Sequence, residues 1–181
     1  MALPSTVYKA NIELANVDRG IYENLQATVA QHPSETGERL VARLLAWAIF
    51  SEPELSFTRG LSATEEPDIW VKGGDGRVLL WVEVGLPDAE RIVKASRHAG
   101  RVALLASGRT LATWNQQQLP KLDKVTNLTV VTVDQALIMT LAEQLDRAIN
   151  WSVTITEGML YLAVGATTYQ TAIEVRAGAL Y

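Results

Sequence analysis

The chain has 181 residues, 48% of them hydrophobic and 20% charged, with a formal net charge of −4 at pH 7. That size and balance fit one globular domain spanning residues 1–181, and the acidic excess argues against a broad basic surface for polyanions while leaving room for a local patch. There is no cysteine and there are two histidines, His32 and His98, which excludes disulfides, thiolate catalysis, cysteine-ligated zinc and a multi-histidine metal site within one chain.

Residues 6–15 (TVYKANIELA) alternate, with Tyr8, Ala10, Ile12 and Leu14 on one face and Lys9, Asn11 and Glu13 on the other. Alternation of that kind predicts a half-buried strand. Turn residues occupy 16–20, and Leu25, Ala27 and Val29 resume the alternation, so the N-terminus reads as a hairpin. In HPSETGERLVARLLAWAIF (32–50), Pro33 and Ser34 supply a helix start, and Glu35 and Glu38 suit its first turn. Val41, Leu45 and Ile49 recur at helical spacing, widened by Leu40 and Leu44, which leaves Arg39 and Arg43 on the outer side. Pro53 ends the helical region.

LSFTR (55–59), EPDIWVK (66–72) and RVLLWVEVG (77–85) read as strands, the last two joined by a turn at Gly73-Gly74-Asp75-Gly76. Pro87 and Asp88 open a helix that runs to about Ala99, and RVALLAS (101–107) is apolar and continuous, as a buried strand is. A helix over 110–118, a strand over 127–134 and a helix over 135–145 follow. Alternation returns with Trp151, Val153 and Ile155, then Leu160 and Leu162, then a last strand over 168–175. Three terminal strands are too few to bury a core alone, so they are expected to pair with the N-terminal hairpin. The fold class is therefore α/β: a central mixed sheet flanked by helices, with an additional antiparallel sheet from the N- and C-terminal strands.

No apolar run reaches the ~18 residues of a membrane-spanning helix. MALPSTVYKA has neither the cationic nor the apolar region of a secretion signal, so a cytoplasmic monomer without a membrane partner is expected. HExxH, GxSxG and Walker-type loops are missing from the sequence.

The candidate chemistry lies on the two strands around the glycine turn. Asp68, Trp70 and Lys72 share one face of theirs, and Leu79, Trp81, Glu83 and Gly85 share one face of the next. If Lys72 lies opposite Arg77, Asp68 faces Trp81 and Glu83 is its diagonal neighbour, at a spacing that admits one ion. Two such carboxylates repel unless a cation or proton intervenes. Glu38 lies in line with Val41 and Leu45, facing the sheet, and three carboxylates suit Mg²⁺ or Mn²⁺. The plainer alternative is a structural ion-pair network in which Arg59 or a helix arginine neutralises Asp68 and Glu83. Glu38 alone equally suits the helix dipole.

Arg91, Lys94, His98 and Arg101 recur at helical spacing. They form either a phosphate-binding face, with Arg59 as a further contact, or a solvated face with a Glu90–Lys94 pair. Trp70 and Trp81 are expected to pack inward, with base stacking the other reading.

The order of helix glutamate, Pro67-Asp68, Glu83-Val84-Gly85, helix and strand resembles the PD-(D/E)xK nuclease superfamily. HPSETGERLVARLLAW, FTRGL, EPDIW and LWVEVGLPDAERIVKA, with the TVYKA start, resemble the YaeQ family over nearly the whole chain. The resemblance implies a restriction-endonuclease-like core with extra strands. It also implies a divergent Mg²⁺- or Mn²⁺-dependent nuclease hydrolysing phosphodiesters of nucleic acid, with Glu38, Asp68 and Glu83 as metal ligands. The lysine of that motif would fall two residues after Glu83, where Gly85 stands, and Lys94 on the following helix is the substitute preferred over Lys72. The alternative is a non-catalytic module of the same fold that binds a nucleic acid or a protein.

Overall fold

A computed structural model describes residues 3–59 and 64–181, so Gly60 and Leu61 of the FTRGL stretch lie outside the described residues. In chain order the elements are β1 (Thr6–Asn16), β2 (Ile21–Gln31), α1 (Gly37–Ile49), β3 (Ser56–Phe57), β4 (Ile69–Lys72), β5 (Val78–Gly85), α2 (Ala89–His98), β6 (Ala99–Ala106), α3 (Leu111–Gln117), β7 (Leu128–Thr132), α4 (Gln135–Glu143), β8 (Ala148–Thr156), β9 (Met159–Val164), β10 (Thr167–Ala172) and β11 (Glu174–Ala177). They form a mixed α/β fold with two mixed sheets.

The first sheet has the order β10-β9-β8-β1-β2, and the second β11-β7-β6-β5-β4-β3. The hairpin and the terminal strands do share a sheet, but that sheet is not antiparallel, because β1 and β8 run parallel from Lys9↔Ala148 to Asn16↔Ile155. The chain leaves α4 at the end of the sheet where β1 begins, marked by the bond from Lys9 N–H to the Arg147 carbonyl. Side-chain alternation carries no information about that direction of entry. The expected last strand divides as well: β10 stays with β9, while β11 crosses to pair antiparallel with β7. In the second sheet β5, β6 and β7 are parallel and β3, β4 and β5 antiparallel.

The helix α1 lies between the sheets. One apolar cluster joins Ile12, Leu14, Val29 and Val153 of the first sheet, Leu40, Leu44, Leu45 and Ile49 of α1, and Ile69, Val82 and Val84 of the second. Each large aliphatic side chain so enclosed contributes about 1.5–3 kcal/mol relative to exposure. The helix begins later than Pro33 and Ser34 suggested: Thr36 is its N-cap, its hydroxyl accepting from Arg39 N–H at 3.1 Å.

Enclosure overturns the outer position expected for Arg43, and Arg39, 23% exposed at the helix start, turns to Asp68 instead of to solvent. Arg43 is only 3% exposed, and its guanidinium donates to both oxygens of Glu35, at 2.7 and 2.8 Å, and to the Ala30 carbonyl at 2.8 Å. A charge held this deep is tolerated only because its partner is equally buried and geometrically matched. Replacing Glu35 by Ala leaves Arg43 uncompensated and is expected to lower the unfolding free energy by about 3–5 kcal/mol. Urea titration checks this, and a loss below ~1 kcal/mol would mean that the pair is solvated like a surface bridge.

Candidate functional site

The face of β4 and β5 that packs on α1 carries Ile69, Val71, Leu80, Val82 and Val84. Strand alternation then turns Trp70, Trp81 and Glu83 to the opposite face, where Glu83 is buried and the tryptophans are half-buried. Trp81 is partly buried against a second apolar cluster that includes Ile92 and Ala95 of α2, whereas Trp70 is half-buried outside both clusters.

The hairpin closes through Gly73 N–H to the Arg77 carbonyl, at 2.8 Å, and a bulge sets Lys72 beside Val78. Above the bulge Trp70 pairs with Trp81 and Ile69 with Val82, so the expected register is displaced. Asp68 N–H donates to the Val82 carbonyl, so Asp68 does not face Trp81 as expected. The carboxylates of Asp68 and Glu83 are both buried, at 2% and 4% exposure.

Each has a guanidinium partner. Asp68 Oδ1 lies 2.8 Å from Arg39 Nη2, and its Oδ2 accepts from Val84 N–H at 2.9 Å. Glu83 Oε1 accepts from Arg91 Nε and from Trp81 Nε1, both at 2.9 Å, and lies 2.7 Å from Arg91 Nη2. Glu38 meets Arg109 at 2.9 Å. Burial, and then the charge of Asp68, push the Glu83 carboxyl above its ordinary value despite the opposing hydrogen bonds from Arg91 and Trp81.

Glu38, Arg39, Asp68, Glu83, Gly85 and Arg91 line one pocket of about 480 Å³ at the ends of β5 and β6. The three expected metal ligands therefore border one space, but as this donor set is arranged it does not fit Mg²⁺ or Mn²⁺. Such ions take several unencumbered oxygens at close range, whereas here both oxygens of Asp68 and Oε1 of Glu83 are engaged by nitrogen donors. Among the described residues no three His, Cys, Asp or Glu side chains converge as a metal would require.

The remaining expectations scatter. Lys94 does not line this pocket. It lies 3.3 Å from Glu65, rather than pairing with Glu90, and borders a neighbouring groove with Trp81, Arg91 and His98. Arg59 bonds Glu66 at 2.9 Å on the surface. Gly85 has φ +110, a conformation side chains rarely adopt, so the position of the motif lysine is shaped for glycine.

The arginines that answer the carboxylates were legible in part. Arg91 stands in the first turn of a helix entered from the end of β5, which folds it back over Glu83. Nothing local marks Arg109, which reaches Glu38 from 71 residues away.

A family model described as YaeQ protein matches residues 1–173. An uncharacterized protein YaeQ from Salmonella typhi is 42% identical over 164 residues, covering 90% of this chain and 91% of that protein. Its namesake from Escherichia coli (strain K12) is 39% identical with the same coverage of both. The crystal structure of YaeQ protein from Pseudomonas syringae superposes with a TM-score of 0.94 at 39% identity, covering 99% of this chain and 100% of that one. The structure from Xanthomonas axonopodis pv. citri gives 0.92 at 33% identity, covering 97% and 99%.

The raised proton affinity of Glu83 has a signed consequence. The folded protein holds this proton more tightly than the unfolded chain does. Stability from this group is therefore greatest below the ordinary value of 4.5 and is lost as pH rises through the raised one. Relative to Glu83→Gln, the wild type should lose unfolding free energy as pH rises across that window. Urea midpoints measured from about pH 4 to about pH 7 check it, and a gap that stays constant or moves the other way contradicts it.

Proposed function

The chain belongs to the YaeQ family, and from that premise we propose that it is a non-catalytic nucleic-acid-binding module with a restriction-endonuclease-like core of PD-(D/E)xK ancestry. Pro67-Asp68 and Glu83-Val84-Gly85 fall where that superfamily's motif would, and Asp68 and Glu83 border one pocket. The observation that carries the reading is that arginines neutralise the motif carboxylates: Arg39 on Asp68 and Arg91 on Glu83. The ion pairs provide the charge compensation that a metal would otherwise supply, and the glycine conformation at Gly85 disfavours the motif lysine.

Nucleic acid is the favoured partner because Arg91, Lys94 and His98 flank one groove along α2. Phosphate contacts of this kind position a nucleic acid without reading its sequence. A protein partner is the outcome if oligonucleotides fail to bind. The apolar cluster shared by both sheets supports reading residues 1–181 as a single domain. No described helix is long and apolar enough to cross a membrane, and we place the chain in the cytoplasm as a monomer.

One observation favours a second reading, metal-dependent phosphodiester hydrolysis. Arg91 is 36% exposed, so its side chain has room to turn outward and release Glu83 beside Asp68. In that reading Glu38, Asp68 and Glu83 would hold the ion and Lys94 would have to move from Glu65.

Two titrations separate the readings. Calorimetry with Mn²⁺ is expected to give no saturable heat for the wild type. Saturable heat that vanishes in Glu83→Gln favours hydrolysis instead. Binding of a labelled oligonucleotide is expected without divalent metal, and Lys94→Ala should weaken it and reduce the salt slope by about 1. An unchanged slope removes Lys94 from the interface.

A further inference from the structure

The strand β2 is an edge of the first sheet, and the bonds of its neighbour β1 show which of its backbone groups lie open. Lys9 N–H donates to the Arg147 carbonyl and Val17 N–H to that of Ile155, both toward β8. Backbone groups alternate sides along a strand, so odd-numbered residues of β1 face β8 and even-numbered ones face β2. The register runs unbroken from Thr6↔Gln31 to Asn16↔Ile21, which pairs even-numbered residues of β1 with odd-numbered residues of β2. Tyr22, Asn24, Gln26, Thr28 and Ala30 therefore turn their N–H and C=O to the open side. The Ala30 carbonyl agrees, accepting from Arg43 at 2.8 Å instead of from β1. The backbone groups of Tyr22, Asn24, Gln26 and Thr28 have no partner among the described residues.

An open sheet edge is a template for another strand, and proteins blunt it by shortness, lysine, proline or a bulge. The other edges of this molecule are blunted. β3 has two residues, and β11 has four, with a break in register and Arg176. β10 has six and lies against α4, whose C-cap Gln144 donates to the Tyr169 hydroxyl at 2.7 Å. By contrast β2 has eleven residues and no proline, lysine, arginine or bulge, and Glu23 is its one charge. The residues with open backbone groups also carry exposed, uncharged side chains, with Tyr22 66% exposed.

We propose that β2 pairs antiparallel with β2 of a second copy of this chain, about a two-fold axis at Leu25. The open residues are symmetric about that position. Tyr22 then meets Thr28 of the second copy, and Asn24 meets its Gln26, so all four exchange both backbone groups and none is left open. Glu23 falls opposite Ala27, and no like charges meet. An unrelated extended peptide could bond the same groups, but a second copy alone brings an open run of the same length and centre. The same patch is used on both copies, so the pair closes and does not grow into a fibre. Each copy is complete without the other, and an interface of one short strand run lies at the weak end of the size range. The dilute protein is therefore the monomer, and the pair forms as its concentration rises. None of these residues lines the carboxylate pocket or the groove along α2, so the pairing is independent of the nucleic-acid reading.

The test is sedimentation equilibrium at low salt, from about 1 µM to about 500 µM protein. The mass is expected to rise from 19.8 kDa toward twice that value. Two double variants probe the register. Asn24→Lys with Gln26→Lys sets like charges directly opposite each other at both central pairs and should weaken association about tenfold or more. Asn24→Lys with Gln26→Glu sets opposite charges at the same pairs and should restore or strengthen it. Both positions are exposed, and circular dichroism melts confirm that the variants stay folded. A wild type that stays at 19.8 kDa throughout overturns the proposal, as does association that the double-lysine variant keeps in full. Loss of association in both variants alike overturns the axis at Leu25.

Discussion

A carboxylate taken out of water must be answered by a positive charge or a proton, and the interior of this protein is arranged around that requirement. Glu35 holds Arg43 with both oxygens and meets Arg39 at 3.1 Å, and Arg39 reaches on to Asp68. The chain of charges runs from beneath the first sheet, along α1, to the end of the second. It fixes α1 between the sheets and ties its first turns to the strand end where Asp68 and Glu83 meet. Removing any member strands another in a medium that solvates it poorly.

The same requirement decides how the pocket at the ends of β5 and β6 is read. Two buried carboxylates side by side are the donor set of a divalent cation when nothing else neutralises them. With Arg39 on one and Arg91 on the other, both charges are balanced and three of the four carboxylate oxygens already face nitrogen donors. Arg91 does more than neutralise: it also donates to the carbonyls of Thr64 and Glu66, so it ties the returning segment before β4 to α2. The guanidinium thus acts as a structural clamp with five donors in a fixed fork, a role that a lysine would fill less well.

Much of this was legible in the residues. The strands of the hairpins, the helix after Pro87-Asp88 and the outward loop at Gly73–Gly76 follow from alternation, helical spacing and turn chemistry. The carboxylates of the pocket, and a helix arginine as one possible partner for them, also followed from spacing. What did not follow depends on tertiary choices. The direction of β8 beside β1 is set by where α4 ends, and the pairing of Trp70 rather than Asp68 with Trp81 by a bulge beside Lys72. Arg43 looked solvent-facing because a single helix has an outside; between two sheets its position has none, while Arg39 at the helix start keeps partial exposure beside Asp68. The core packing expected of Trp81 is met by the second apolar cluster, whereas Trp70 lies outside both clusters, since the central core takes the other face of its strand.

The central claim is that arginines, not a metal, neutralise Asp68 and Glu83. The most direct measurement is crystallographic: crystals soaked in Mn²⁺, with diffraction collected where manganese scatters anomalously. The account predicts no anomalous peak between the two carboxylates, with the guanidiniums of Arg39 and Arg91 in contact with them. A manganese peak coordinated by both carboxylates, with Arg91 turned out of the pocket, would contradict it.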